Sequence, residues 1–188
     1  MDSASSDSRI PRVIVLPRGI NVGGNNKVPM PALRDALARR GYTGVRTLLA
    51  SGNIIVPDPG GERGADTVCD AVRECMDTDF GVAVDCVART DTEMRDVLAA
   101  DPFGKVAVNG SRYLVTFLSA PLSPELVAEY EATDLGPGEY VFAGREVFTW
   151  APEGVLSLRL DYSRLAKDAG CAATARNWNT VAKIVAAL

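Results

Sequence analysis

Apolar residues in this chain recur first with a strand-like and then with a helical period, in an order that few folds accept. Residues 12–16, RVIVL, form a short apolar run that reads as a buried strand. Pro31 then opens a helical stretch with Leu33 and Leu37 one turn apart and Gly41 as its stop. VRTLLASGNIIV supplies two short strands hinged on Ser51-Gly52-Asn53, and Pro57 to Gly61 reads as a loop. A second helix is expected from Ala65 to Met76, where Val68, Val72 and Met76 repeat every four residues. FGVAVDCV reads as a strand through Val82, Val84 and Cys86. Strand, helix, strand, strand, helix, strand is the split β-α-β order of a ferredoxin-like sandwich.

The remainder repeats that order. Thr90 and Glu93 have capping-box spacing ahead of Met94, Val97 and Leu98. RYLVTFLS is a strand, Ser123-Pro124-Glu125 opens a helix, and EYVFAGREVFTW is a hairpin turning at Ala143-Gly144. Ser163 to Ala169 fits a short helix, and Ala175 to Leu188 fits a closing one, while VLSLRL at 155–160 suits either a last strand or a loop. The fold class expected is therefore α+β, a tandem of two ferredoxin-like (βαββαβ) sandwiches. A disordered tail over residues 1–10 precedes one domain at 11–90 and a second, with a C-terminal helix, at 91–188. The two halves agree in architecture rather than in detectable sequence.

Composition limits the chemistry. With 188 residues, 47% of them hydrophobic, the chain can bury a core in one domain or two small ones. It contains no histidine, which removes Ser-His-Asp and Cys-His catalysis and imidazole-ligated metal sites. Cysteines 69, 75, 86 and 171 form no C-x-x-C pair, so no metal site is expected. The start MDSASSDSR lacks the apolar core of a signal peptide, and no apolar run approaches the roughly 20 residues of a membrane span. A cytoplasmic protein with reduced thiols and no membrane partner is the expectation.

Net charge is −4, yet the segment from Arg9 to Arg46 carries eight cations and a single acid, Asp35. A basic segment in an acidic chain points to a local anion-facing surface. Arg39 and Arg40 equally suit a plainer role, complementing the dipole at a helix C-terminus.

Three constellations carry chemistry. In RGINVGGNNKV, Gly23 and Gly24 let backbone amides converge on an anion, flanked by Arg18 and Lys27, with Asn21, Asn25 and Asn26 as neutral donors. The loop matches neither the Walker A nor the Rossmann pattern, and its glycines equally suit a tight turn. Ser51 and Asn53 are ordinary hairpin chemistry unless the fold brings them beside that loop. In TARNWNTV, Thr174 has the look of an N-cap that would place Arg176 and Asn177 in the first turn of the final helix. An arginine there opposes the dipole and needs either a protein carboxylate or a bound anion.

LPRGINVGGNNKVPMPALRDAL, LLASGNIIV and TARNWNTV resemble the bacterial family catalogued as domain of unknown function 1697, in the same order and over nearly the whole chain. The resemblance implies a tandem of two ferredoxin-like domains and brings no activity, cofactor or catalytic residue with it. One departure is Pro17, where an apolar residue is expected, and a proline there suits a strand end.

The leading functional reading is a small anionic or phosphate-bearing ligand on the Arg18–Lys27 loop, with Ser51, Asn53, Arg176 and Asn177 as further contributors. The alternative is a nucleic-acid-binding module using the basic segment, although the first half has only Tyr42 and Phe80 as aromatics and neither lies mid-strand. A ligand-free interaction domain is the third reading. Any hydrolysis would rest on Asp, Glu, Ser or Lys, and no carboxylate pair stands near the first loop. The pattern specifies no catalytic residue, cofactor or oligomeric state.

Overall fold

The computed structural model describes residues 10–58 and 64–188. Residues 1–9, on which the disordered tail was expected, and 59–63, within the expected loop, lie outside the described residues. The first sheet is built from β1 (Arg12–Pro17), β2 (Arg46–Leu48), β3 (Asn53–Pro57) and β4 (Cys86–Thr90), with α1 (Met30–Arg39) and α2 (Gly64–Phe80) between them. After α3 (Asp91–Ala100) comes a second sheet of β5 (Tyr113–Leu118), β6 (Glu139–Ala143), β7 (Glu146–Trp150) and β8 (Ala173–Asn177). Its helices are α4 (Pro124–Glu131), α5 (Tyr162–Asp168) and α6 (Trp178–Ala186). Both sheets are antiparallel, and their strand orders, β2-β3-β1-β4 and β6-β7-β5-β8, correspond strand for strand.

Alternation along each strand sorts side chains into three cores. Val13, Val15, Ile54 and Val56 pack beneath Leu33 and Leu37 of α1 and Val68 and Val72 of α2, as their helical spacing requires. On the opposite face, Ile14, Leu16, Ile55 and Val87 share a core with Met94 of α3, Val115, Phe117 and Phe148 of the second sheet, and Val181 and Ile184 of α6. The two sheets are thus tied through one common core. Val147, Ala173 and Leu118 face a third core under Tyr130, Leu165 and Ala166.

Helix ends follow local chemistry. Pro31 lies in the first turn of α1, and Arg40 at its C-cap donates to the Ala36 carbonyl and pairs with Asp79. The expected capping box is present, Thr90 and Glu93 each satisfying the other's backbone N–H at the head of α3. Two expectations are corrected. The segment 82–85 is not ladder strand: Gly81 turns the chain out of α2 at φ +65°, and β4 begins only at Cys86, which faces Pro17 at the end of β1. The closing helix starts at Trp178, not Ala175, because residues 173–177 pair with β5 and complete the second sheet. Residues 155–157 form a short 3₁₀ turn. Among the described residues, no helix is long and apolar enough to cross a membrane, and all four cysteines are unpaired.

Candidate functional site

The glycine loop folds into a miniature hairpin. Asn25 N–H donates to the Val22 carbonyl at 3.2 Å and Asn21 N–H to the Asn26 carbonyl at 3.1 Å, with Gly23 and Gly24 at the tip. Their φ angles, +60° and +82°, are those of a two-residue turn that glycine alone enters freely. Asn21 and Asn26 are structural. Asn21 accepts from Val28 N–H and donates to the carbonyls of Val28 and Ala50, fastening the loop to the β2–β3 turn. Asn26 donates to the Gly19 carbonyl. The tip, with Gly23, Gly24, Asn25 and Lys27, stays exposed.

Behind this loop two buried arginines lock the halves together in matching ways. Arg89, fourth residue of β4, sends its guanidinium into the second half. Its Nε donates to Glu146 at 2.8 Å and its Nη2 to the carbonyls of Leu118 and Arg145. Arg176, fourth residue of β8, reaches back into the first half. Its Nε donates to Asn53 Oδ1 at 2.6 Å and its Nη2 to the carbonyls of Pro17 and Gly52. Each also bonds the carbonyl of the alanine before it. Pro17 and Leu118 both end the first strand of their half, and Asn53 and Glu146 both begin the third. The acceptors therefore correspond position by position, except that Arg89 meets a carboxylate where Arg176 meets a neutral amide.

That difference shapes the electrostatics. Burial lowers the pKa of Arg176, to about 10, and every oxygen it touches is neutral. The same burial lowers the pKa of Arg89, but Glu146 acts against it. All five N–H donors of Arg176 are engaged, so it offers the site charge rather than free hydrogen bonds.

Arg176 lies in the wall of a cleft of about 570 Å³ between the halves. Of the residues expected at a site, Arg18, Ser51, Arg176 and Asn177 meet there. Asn53 sits fully buried behind Arg176, and Asn21 holds the adjoining turn. Gly23, Gly24, Asn25 and Lys27 do not line it, although Val22 of the same hairpin does. Arg18 donates to Ser163 Oγ at 2.7 Å, bridging the first loop to α5. Asn177 is the N-cap of α6, its Oδ1 accepting from Thr180 N–H and Oγ1, which corrects the expected cap at Thr174. Arg176 lies in β8, one residue before that N-cap, rather than in the first turn of the helix. Sequence reasoning missed Thr116, Asp161 and Tyr162 in the same cleft. The signal available for Arg176 was the likeness of CVART to ATARN, each a strand whose arginine precedes a capping residue.

A second cavity, about 900 Å³, lies on the other side of Arg18, against α2. Asp70, Glu74, Asp77 and Asp85 outnumber Arg18 and Arg73 there, which disfavours an anion. Five other arginines of the basic segment are spent internally: Arg34 on Thr47, Arg39 and Arg40 on Asp79, and Arg12 and Arg46 on the carbonyls of Leu188 and Ala187. Among the described residues, no three of Cys, Asp and Glu are grouped to hold a metal ion.

The structure of the conserved bacterial protein SP0830 from Streptococcus pneumoniae matches with a TM-score of 0.71 and 22% identity, covering 93% of this chain and 97% of that one. At that identity the likeness is one of fold. No curated protein matches in sequence. The family described as Protein of unknown function (DUF1697) matches residues 10–148, most of the chain, and this protein belongs to it.

Proposed function

We propose that the cleft between the halves binds a small anionic, phosphate-bearing ligand. The observation that carries this is Arg176, a buried guanidinium in the cleft wall whose hydrogen-bond partners are all neutral, while its counterpart Arg89 has Glu146. A buried charge without a counter-ion is costly, and an anion in the cleft supplies one. Arg18 offers the free donors and α6 directs its N-terminus to the same place. Asp161 also lines the cleft, but its carboxylate accepts from Ser163 and Arg164 N–H, and two guanidiniums outweigh it.

The fold reading that accompanies this is a tandem of ferredoxin-like halves, residues 11–90 and 91–188, supported by the matching strand orders. Four unpaired thiols support a cytoplasmic setting. An RNA-binding sheet face fits less well, since the first sheet buries Ile14, Leu16, Ile55 and Val87 against the second half.

Thermal melts with inorganic phosphate test the proposal. At a hundredfold excess over its dissociation constant, phosphate should add roughly 2.7 kcal/mol to the wild type. Arg18→Gln should lose that response and Lys27→Gln should keep it, both melting close to wild type without phosphate because exposed charges contribute little. A wild type indifferent to phosphate, or an Arg18→Gln variant that still responds, refutes the anion site.

A further inference from the structure

Two of the four cysteines lie against each other. Cys69 is in the second turn of α2, and Cys86 opens β4, the strand on which that helix packs. Both sit in the core of the first half, Cys86 buried and Cys69 partly exposed. Their thiols share a hydrogen bond, and Cys86 has the Val84 carbonyl at 3.9 Å as its other acceptor. Accepting the bond from Cys86 holds the Cys69 thiol below its ordinary value against the opposing burial. The same bond, together with burial, pushes Cys86 up. Arg73 favours the thiolate of both, while Asp66 and Asp70 oppose it at Cys69 and Asp85 opposes it at Cys86. The other two cysteines are placed differently. Cys75 is fully buried, pushed up by that burial, and faces Arg40 and Asp79, and Cys171 packs on the core of the second half.

An accessible thiol with a second thiol at hydrogen-bond distance is the arrangement of a cysteine that is oxidised and then resolved. We infer that Cys69 and Cys86 form a redox pair, which closes to an intramolecular disulfide when Cys69 meets a small hydroperoxide. The Cys69 thiolate attacks one peroxide oxygen, the O–O bond breaks, and the departing hydroxide takes a proton and leaves as water. The product is a sulfenic acid at Cys69. The Cys86 thiol then gives up its proton and its sulfur attacks the Cys69 sulfur, breaking the S–O bond and releasing a second water. The two sulfurs lose two electrons together, and the peroxide gains them. The surroundings select the oxidant. The cavity of about 900 Å³ is lined by Asp70 and Asp85, the chain neighbours of the two cysteines, together with Glu74 and Asp77. An uncharged peroxide enters it more readily than an anionic disulfide such as oxidised glutathione. The bond would tie α2 to the head of β4, where Cys86 faces Pro17 and the Asp85 carbonyl accepts from Arg18 N–H at 2.8 Å. Oxidation therefore falls at the root of the segment that carries Arg18, and thiol exchange in a reducing compartment reopens it.

The test treats the folded full chain with hydrogen peroxide, blocks the remaining thiols and measures intact mass. Two of the four thiols should escape blocking, the chain should be lighter by two hydrogens, and dithiothreitol should restore all four. Digestion with trypsin and chymotrypsin, cutting after Arg73 and Phe80, puts Cys69, Cys75 and Cys86 on separate peptides. The wild-type map should show the Cys69 peptide joined to the Cys86 peptide, a readout that needs no variant to fold. Cys75→Ala combined with Cys171→Ala should close the same bond. Cys86→Ala should instead accumulate the sulfenic acid, captured by dimedone at Cys69. Cross-links to Cys75 or Cys171, or between molecules, overturn the inference. So does the persistence of all four thiols at a peroxide dose that converts the methionines of the chain to sulfoxide. Dimedone found on a cysteine other than Cys69 overturns the order of the two steps.

Discussion

Replacing each buried arginine by methionine should separate the two clamps by the charge left behind. Arg89→Met strips the partner from Glu146, whose side chain is only 16% exposed, and breaking such a pair costs about 3–5 kcal/mol. Arg176→Met leaves only neutral acceptors, principally Asn53 Oδ1 and the carbonyls of Pro17 and Gly52. Each lost bond costs about 1 kcal/mol, but removing a desolvated charge returns part of that, so a net loss of about 1–3 kcal/mol is expected. The gap of about 2 kcal/mol should appear in urea unfolding as midpoints about 1 M apart, with the slope unchanged. Adding Glu146→Gln to Arg89→Met should recover stability, since the stranded carboxylate is gone. If Arg176→Met is as damaging as Arg89→Met, or the double variant is no better than Arg89→Met alone, the charge asymmetry does not govern the clamps.

Two further predictions concern the first half. The Arg40 guanidinium bonded to Asp79 holds that carboxyl at about 2, below its ordinary 3.8, and a depressed carboxyl stabilises the fold above the ordinary value and ceases to as pH falls through the depressed one. Wild type should therefore lose its melting-temperature advantage over Asp79→Asn between pH 4 and pH 2, and a constant difference across that window would show that the pair does not matter. Gly52 and Gly24 both have positive φ, at +74° and +82°, but a Cβ on Gly52 would lie 2.4 Å from Ile20 Cδ1 while one on Gly24 meets open space. Gly24→Ala should cost about 1 kcal/mol and Gly52→Ala about 2–3 kcal/mol by urea unfolding, and equal losses would mean that Ile20 moves aside freely.

The helices of the first half were legible because they are long enough for periodicity to speak, whereas the fourth strand, expected over 80–87, pairs only from Cys86. Leu33 with Leu37, and Val68 with Val72, could lie on one face only if their segments were helical, and Thr90 with Glu93 declared a helix start. The last strand was not legible for a physical reason. ATARN is five residues with two alanines facing a thin cover, so it shows no apolar alternation, and it runs into α6 with no loop between. Thr174 and Asn177 are both cap-forming residue types, and only the pairing of Leu118 to Ala173 through Leu114 to Asn177 decides between them. Sheet pairing is non-local, so no window of the sequence contained it. The same limit hid the cleft: Arg18 and Asn177 are 159 positions apart, and Thr116 has no local feature to mark it.

The points where the halves differ say more about the site than the points where they agree. Paired acceptors at Pro17 and Leu118, at Gly52 and Arg145, and at the alanines before Arg176 and Arg89 keep both clamps the same, and sameness there is what joining two sheets requires. Two differences have no such structural use. Asn53 replaces a carboxylate and leaves Arg176 without a counter-charge, and the short α5 replaces the long α2 and leaves the sheet less covered. Each alone weakens the fold, by a few tenths to a few kcal/mol, since charge and apolar surface are both best buried with partners. Both converge on one cleft. Features that cost stability and share a location are those expected where a fold has been turned toward binding.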